Sequence, residues 1–300
     1  MRARWIASPA AVAKVADRLI RVLAAPAAAY EPFRVEDRIV GWVTPARAQR
    51  LARWPALFER DERGVACAPR LSTPEARTVA LAEVARILAT ESALTAWRDE
   101  RYAVAPDPAA PALFELERAA ARYFGIHTFA AHANGLVGAD GSWQMWLARR
   151  SATKAIDPGL LDNLVGGGIA SGTTPAQTII REAWEEAGIG EEVARRAPCA
   201  GWVELCRDRP DGMQRETIYV HDFWLPPEFA PANQDGEAVA HRLCLPDDIL
   251  ALLASDDITA DASLVIVDFL LRQGHIAPDD PSFGALQDLR HPLRSSRYGA

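Results

Sequence analysis

The stretch from Leu161 to Ile189 constrains the fold more than any other, because an apolar strand feeds directly into three consecutive glycines and then a helix. Leu161-Asp162-Asn163-Leu164-Val165 reads as the strand. Gly166-Gly167-Gly168 reads as a loop whose backbone must approach something closely, since glycine is the residue that leaves room for such an approach. Thr174 caps the helix, Pro175 takes its first turn and Gly188 supplies a left-handed stop, so the helix spans about 175 to 187. Ala176, Ile179, Ile180, Ala183 and Ala187 make its buried side. At about 100° per residue, Glu182, Glu185 and Glu186 fall within a sector of roughly 100° and share one stripe.

Like charges at that spacing cost an exposed helix about 0.2–0.5 kcal/mol per pair, a penalty that a bound divalent cation reverses. An Arg-Glu-x-x-Glu-Glu run alone describes an ordinary solvated face. The adjoining glycines are what turn it into a candidate site. Oxygen-only ligands favour Mg²⁺ or Mn²⁺ over zinc, and carboxylates holding such ions suit hydrolysis of a diphosphate. Two other phosphate-binding motifs are excluded. No Gly-Lys-Ser/Thr is present to make a P-loop, and Gly166-x-Gly168 followed by Ser171 lacks the third glycine of the dinucleotide fingerprint.

The rest of the chain frames this segment. Its 300 residues are enough for two domains, and the composition (49% hydrophobic, 24% charged, net charge -7) is that of a soluble globular protein. No polybasic stretch calls for nucleic acid, and no segment reads as a leader or a membrane span, so a cytoplasmic location is expected. Cys67, Cys199, Cys206 and Cys244 form no C-x-x-C pair and read as reduced packing residues. Val12 to Leu23 forms an amphipathic opening helix closed by Pro26. Strands are expected over 33–43, 57–58 and 65–71, a helix from Thr73-Pro74 to about 91, and a second helix at about 112–123. The Pro-rich segment 105–111 marks a domain boundary. The expected division is an N-terminal α+β accessory domain at 1–110, a catalytic domain at 111–275 and a draping tail at 276–300. In the catalytic domain two hairpins turn at Gly138-Ala139-Asp140-Gly141 and Pro210-Asp211-Gly212, another strand covers 239–245, and a helix over 258–271 closes the domain. His127 and His132 sit on a strand, where structural roles are expected. Trp184 and Trp202 are expected to pack.

With these residues in view, Gly167 to Ile189 resembles the Nudix box, Gly-x5-Glu-x7-Arg-Glu-(apolar)-x-Glu-Glu-x-Gly-(apolar). It matches at Gly167, Arg181, Glu182, Glu185, Glu186, Gly188 and Ile189, and departs where Thr173 replaces the first Glu. Met145 to Lys154 and Pro158 to Asn163 further resemble the Nudix branch related to thiamine pyrophosphokinase proteins, whose members carry an extra N-terminal domain. The resemblance implies the Nudix α/β/α sandwich with a mixed sheet, and a Mg²⁺- or Mn²⁺-dependent hydrolase of small-molecule organic diphosphates. Thiamine diphosphate or its damaged analogues lead as substrates, and nucleoside diphosphate derivatives are the alternative. A non-hydrolytic ligand-sensing module is the alternative that Thr173 favours. Neither nucleic acid nor membrane is implied, and a homodimer is compatible with the family.

By the same resemblance Glu182 and Glu186 are the principal metal ligands, Glu185 is a further ligand or the base, and Arg181 orients the carboxylates. Gly167 offers a backbone carbonyl to the metal. A later carboxylate is expected from Glu237, or next from Asp235. Arg149, Arg150 and Lys154 are expected to grip the diphosphate.

Overall fold

The computed structural model describes residues 4–139 and 142–299; Met1 to Ala3 and the expected Asp140-Gly141 turn lie outside the described residues. The elements run α1 (Pro9–Val22), β1 (Glu31–Val35), β2 (Arg38–Val43), α2 (Pro45–Leu51), β3 (Phe58–Asp61), β4 (Gly64–Cys67), α3 (Pro74–Thr90), β5 (Arg101–Val104) and β6 (Phe114–Glu117). After one 3₁₀ turn come α4 (Ala121–Phe124), β7 (His127–Ala139), β8 (Ser142–Arg150), β9 (Leu161–Asn163), β10 (Val165–Gly168), α5 (Pro175–Ala187) and α6 (Glu191–Arg195). The chain closes with β11 (Cys199–Arg209), β12 (Gly212–Leu225), β13 (Ala238–Cys244), α7 (Pro246–Leu253), α8 (Ala260–Arg272) and α9 (Phe283–Leu289).

The first part of the chain folds as a small sheet in the order β2-β1-β4-β3, with β1 and β4 parallel. The 33–43 stretch, expected as one strand, is two, because Glu36 adopts φ 56° and turns the chain back on itself. The helix expected at 112–123 is also corrected. Phe114-Glu115-Leu116-Glu117 alternates with period two and forms β6, which pairs with β5 across the Pro-rich segment, and helix begins only beyond Glu117. Phe114 and Phe124 join Phe33 and Phe58 in one aromatic core, so this core extends to Ile126.

The second part is an α/β/α sandwich around a mixed sheet. Its main path is β11-β12-β7-β8-β13, with β10 on β7 and β9 on β8. Strand β7 lies parallel to β12 from Arg215↔His127 to Leu225↔Val137. On its other side it pairs first with β10 and then with β8, and Leu164 fills the place where the chain steps from one partner to the other. A Cβ on Gly135 would meet the Leu164 side chain at 2.2 Å, so glycine is required there for the step. Helix α5 covers one face, over Ala131, Ala133 and Val165. Helix α8 covers the other, over Ala130, Ile218 and Val220.

Two segments depart from simple sequential packing. Helix α1 docks on α7 and α8, burying Val12, Val15 and Leu19 beside Ile249, Ile266 and Leu270. The tail does not merely drape. It forms α9 and a 3₁₀ turn, buries Leu286 and Leu293, and sets the Tyr298 ring edge-on to Trp42 at 4.9 Å. Trp184 and Trp202, expected to pack, are 55% and 43% exposed. Trp184 projects from the charged flank of α5 into solvent.

His127 bonds Thr217 Oγ1 at 2.9 Å, and burial, with Arg215 nearby, pushes its imidazole down to about 3. A folded value below the unfolded 6.5 means that stability is fully present above pH 6.5 and drains away as pH falls toward 3, where only the unfolded chain takes the proton. The limiting slope is about 1.4 kcal/mol per pH unit. Denaturant unfolding of wild type and His127→Gln at pH 7, 5 and 4 checks this, with the wild type losing more stability over that range than the variant.

Candidate active site

Strand β10 is an edge strand, so its outer backbone groups are free for side chains, and α5 is aligned to use them. The helix starts on a reciprocal cap: Gln177 N donates to Thr174 Oγ1 at 3.2 Å and Thr174 N donates to Gln177 Oε1 at 2.9 Å. It ends on Gly188 at φ 66°. The small residues Ala183 and Ala187 face the sheet and bring the helix close to it. Glu182 and Glu186, one turn apart, then lie along β10.

Each glycine of the triplet makes way for a different side chain. A Cβ on Gly166 would meet the His132 ring at 2.9 Å, one on Gly167 the Glu182 carboxyl at 2.2 Å, and one on Gly168 the Tyr102 hydroxyl at 2.0 Å. Gly166 N donates to Glu186 Oε2 at 2.7 Å. Burial pushes the Glu186 carboxyl well above the usual range against the pull of that N–H, and Glu182 and Asp162 add to the rise. Burial also raises the Glu182 carboxyl, opposed by Arg181. Arg181 forks between Glu182 (2.8 Å) and Glu185 (3.2 Å). Thr173, in place of the box Glu, donates to Ala170 O at 2.7 Å and lies 3.3 Å from Thr178 Oγ1, tying the loop to the helix by hydroxyls.

The expected residues are brought together only in part. Among the described residues no three His, Cys, Asp or Glu side chains converge tightly on one point. Glu185 is turned outward, its side chain 38% exposed beside Arg181. Glu237 stands across a small cavity of about 10 Å³ from Glu186, with Asp162 and Gly166 also on its wall. It is ion-paired with Lys154, whose amine is brought down to about 8 by burial, with the neighbouring Arg150 adding to the fall. Asp235 does not face this cavity; it accepts from Asn233 and from Glu237 N within its own exposed loop. Arg149 is a correction. Successive residues on β8 point to opposite sides, and Arg149 forms a bidentate pair with Asp257 (2.6 and 3.0 Å) away from the cleft. Arg150 does face the cleft, bonded to Asp162 at 2.7 Å and to the carbonyls of Ile156 and Asp157.

Beside the glycines opens a cleft of about 340 Å³ between the two parts of the chain. Its wall includes Arg98, Tyr102, Arg118 and Arg122 from the first part, and Lys154, His132, Gln214 and Asp261 from the second. The size and the mix of charges suit a small, anionic organic molecule. The arginines of the first part were not legible as site residues, because only the tertiary approach of the β5–β6 hairpin brings them there. That approach is fixed by Ser171 N donating to Arg101 O at 2.8 Å and Ser171 Oγ donating to Glu115 at 2.6 Å.

Comparison with known proteins agrees with this architecture. The NUDIX domain family matches residues 129–264, and a domain of unknown function, DUF4743, matches residues 12–128. The chain is 37% identical over 267 residues to Nudix hydrolase 24, chloroplastic, of Arabidopsis thaliana, covering 88% of this chain and 72% of that one. It is 35% identical over 275 residues to Nudix hydrolase 20, chloroplastic, of the same plant, with the same shares of 88% and 72%. Among solved structures, the MutT protein of Methanosarcina mazei Go1 aligns with a TM-score of 0.37 at 20% identity, over 49% of this chain and 92% of that one. The chain belongs to the Nudix hydrolase family, and is a two-part member of it. Nudix hydrolases work with divalent metal ions, and the residues here fit one: two crowded carboxylates with raised affinity for protons, a third acid in Asp162, and oxygen donors throughout.

Gly167→Ala tests the packing at the triplet. Glu182 is expected to be displaced, with a fall in hydrolysis of about tenfold or more. The global stability should change by less than about 1 kcal/mol, since the atoms met belong to the end of a flexible side chain. Activity and denaturant unfolding measured side by side check this.

Proposed function

We propose that this chain is a Mg²⁺-dependent hydrolase that splits the diphosphate linkage of a small organic diphosphate held in the cleft. The observation that carries the reading is the pair of inward carboxylates, Glu182 and Glu186, set against a glycine edge that opens into an arginine-lined cleft.

Glu182 and Glu186 would hold the ion, and the Gly167 carbonyl and Glu237, which is paired with Lys154 here, would be its further oxygen donors. A bound divalent cation would neutralise phosphate oxygens and ease deprotonation of the attacking water. Arg181 keeps the Glu182 and Glu185 carboxylates in register. Glu185 faces outward onto Arg181, so it would take the proton from the attacking water only after swinging in toward Glu182 and Glu186. Arg150 and Lys154 grip the diphosphate from the second part of the chain, while Arg118 and Arg122 approach it from the first. The likeness of residues 145–163 to the branch related to thiamine pyrophosphokinase proteins makes thiamine-like diphosphates the leading substrates, and the hydrogen-bonding wall of Tyr102, Gln214 and His132 supports a polar heterocycle over a hydrocarbon.

The test is release of phosphate or monophosphate from a panel of thiamine, nucleoside and isoprenoid diphosphates. Turnover is expected with Mg²⁺, loss of it with a chelator, and recovery when Mg²⁺ is restored. Glu186→Gln is expected to lower kcat by about 10²-fold or more while the protein stays folded, in keeping with the several kcal/mol that a catalytic metal supplies. Ligand binding without turnover across the panel would make the protein a sensing module and sink the hydrolase reading.

A further inference from the structure

A chain of buried polar side chains runs from the cleft along the α8-covered face of the sheet to α8 and the tail. On the cleft side His132 Nδ1 lies 3.0 Å from Asn163 Oδ1. Asn163 Nδ2 donates to Asn134 Oδ1 at 3.3 Å, and Asn134 Nδ2 donates to Asp222 Oδ1 at 2.9 Å. Arg272 donates to the other Asp222 oxygen at 2.8 Å and, through Nε, to Asp268 at 2.6 Å. Arg290 closes the far end on Asp268 at 2.6 Å. Asn134 is fully buried, Asn163 and Asp268 nearly so, and His132 is 9% exposed.

The direction of this chain is fixed by chemistry. The Asp222 carboxylate paired with Arg272 only accepts, so Asn134 must turn its amide NH₂ toward it and its oxygen toward Asn163. Asn163 must then present NH₂ to Asn134 and its own oxygen to His132. His132 Nδ1 therefore carries the proton, and in the neutral ring Nε2 is a bare lone pair. That nitrogen makes no hydrogen bond among the described residues; its ring lines the cleft beside Gly166, near enough to the Asp261 carboxylate to interact with it electrostatically. A lone pair repels phosphate oxygens and attracts N–H or O–H groups. We propose that His132 is a specificity-determining residue whose Nε2 accepts a hydrogen bond from a donor on the organic half of the diphosphate, with Asn163, Asn134 and Asp222 fixing its tautomer. The inference rests on the reading of the cleft as the substrate site.

The experiment uses the full chain and three probes: thiamine diphosphate and ADP, whose organic halves carry an exocyclic amine, and dimethylallyl diphosphate, whose organic half is hydrocarbon. In wild type the two amine-bearing probes should be preferred. His132→Phe should lower the ratio of their kcat/KM to that of dimethylallyl diphosphate tenfold or more, and Asp222→Asn should lower it in the same direction. An unchanged ratio with hydrolysis continuing would overturn the proposal. Nitrogen-15 NMR of histidine-labelled wild type gives a readout that needs neither turnover nor a folded variant. Nδ1 should be protonated and Nε2 bare, with Nε2 shifting on addition of an amine-bearing probe and not of dimethylallyl diphosphate. A proton on Nε2, free or with probe bound, or no selective shift, would overturn the proposal. Failure of wild type to hydrolyse any of the three would count instead against the proposed function, leaving the selective NMR shift to decide the role of His132.

Discussion

At residues 166 to 168 the backbone carries nothing beyond Cα, and three side chains from three distant parts of the chain share the space thus left: His132 from the sheet, Glu182 from the helix and Tyr102 from the first part of the chain. Steric room is the common cause of the rest. It lets α5 lie close enough for Glu186 to accept from Gly166 N, places Glu182 against the same edge, and allows the β5–β6 hairpin to close over the loop. Burial is the electrostatic result. The carboxylates are taken out of water close to one another, which favours either a proton or a cation beside them.

The same closeness explains which parts of the site could be read from the amino acids and which could not. The cap, the stop and the spacing of Glu182, Glu185 and Glu186 are local properties, and the helix forms at Pro175–Ala187 as its caps dictate. That Glu185 turns out toward Arg181 while its neighbours turn in is decided by which side of the stripe meets β10, and residue spacing alone does not contain it. Arg149 and Arg150 show the limit most simply. Adjacent on one strand, they serve opposite faces, and only the register with β13 and β9 says which one sees the cleft. The short strands β5 and β6 were obscured by the prolines between them, and a period-two run of four residues is a weak signal beside a helix-like composition.

The cleft joins two parts of the chain with different cores. Arg122 pairs with Asp211, and Arg47 caps the carbonyls of Arg122 and Tyr123, so the positively charged wall of the first part is held against the β11–β12 turn of the second. Gly212 permits this approach, since a Cβ there would meet Arg122 O at 1.9 Å. The first part adds Arg98, Arg118 and Arg122 to a wall whose acids, with Arg150 and Lys154, come from the second part, and neither part alone encloses the volume between them.

Helix α1 has a consequence for how the protein is made. Its Arg18 donates to Ile258 O, 240 residues farther along, and its apolar stripe packs on helices near that point. At a ribosomal rate of about 5–20 residues per second, that stripe waits on the order of 10–50 s for its partners. A helix made about 240 residues before its partner is thus slow to find its place, and during synthesis its sticky side is an obvious client for a chaperone.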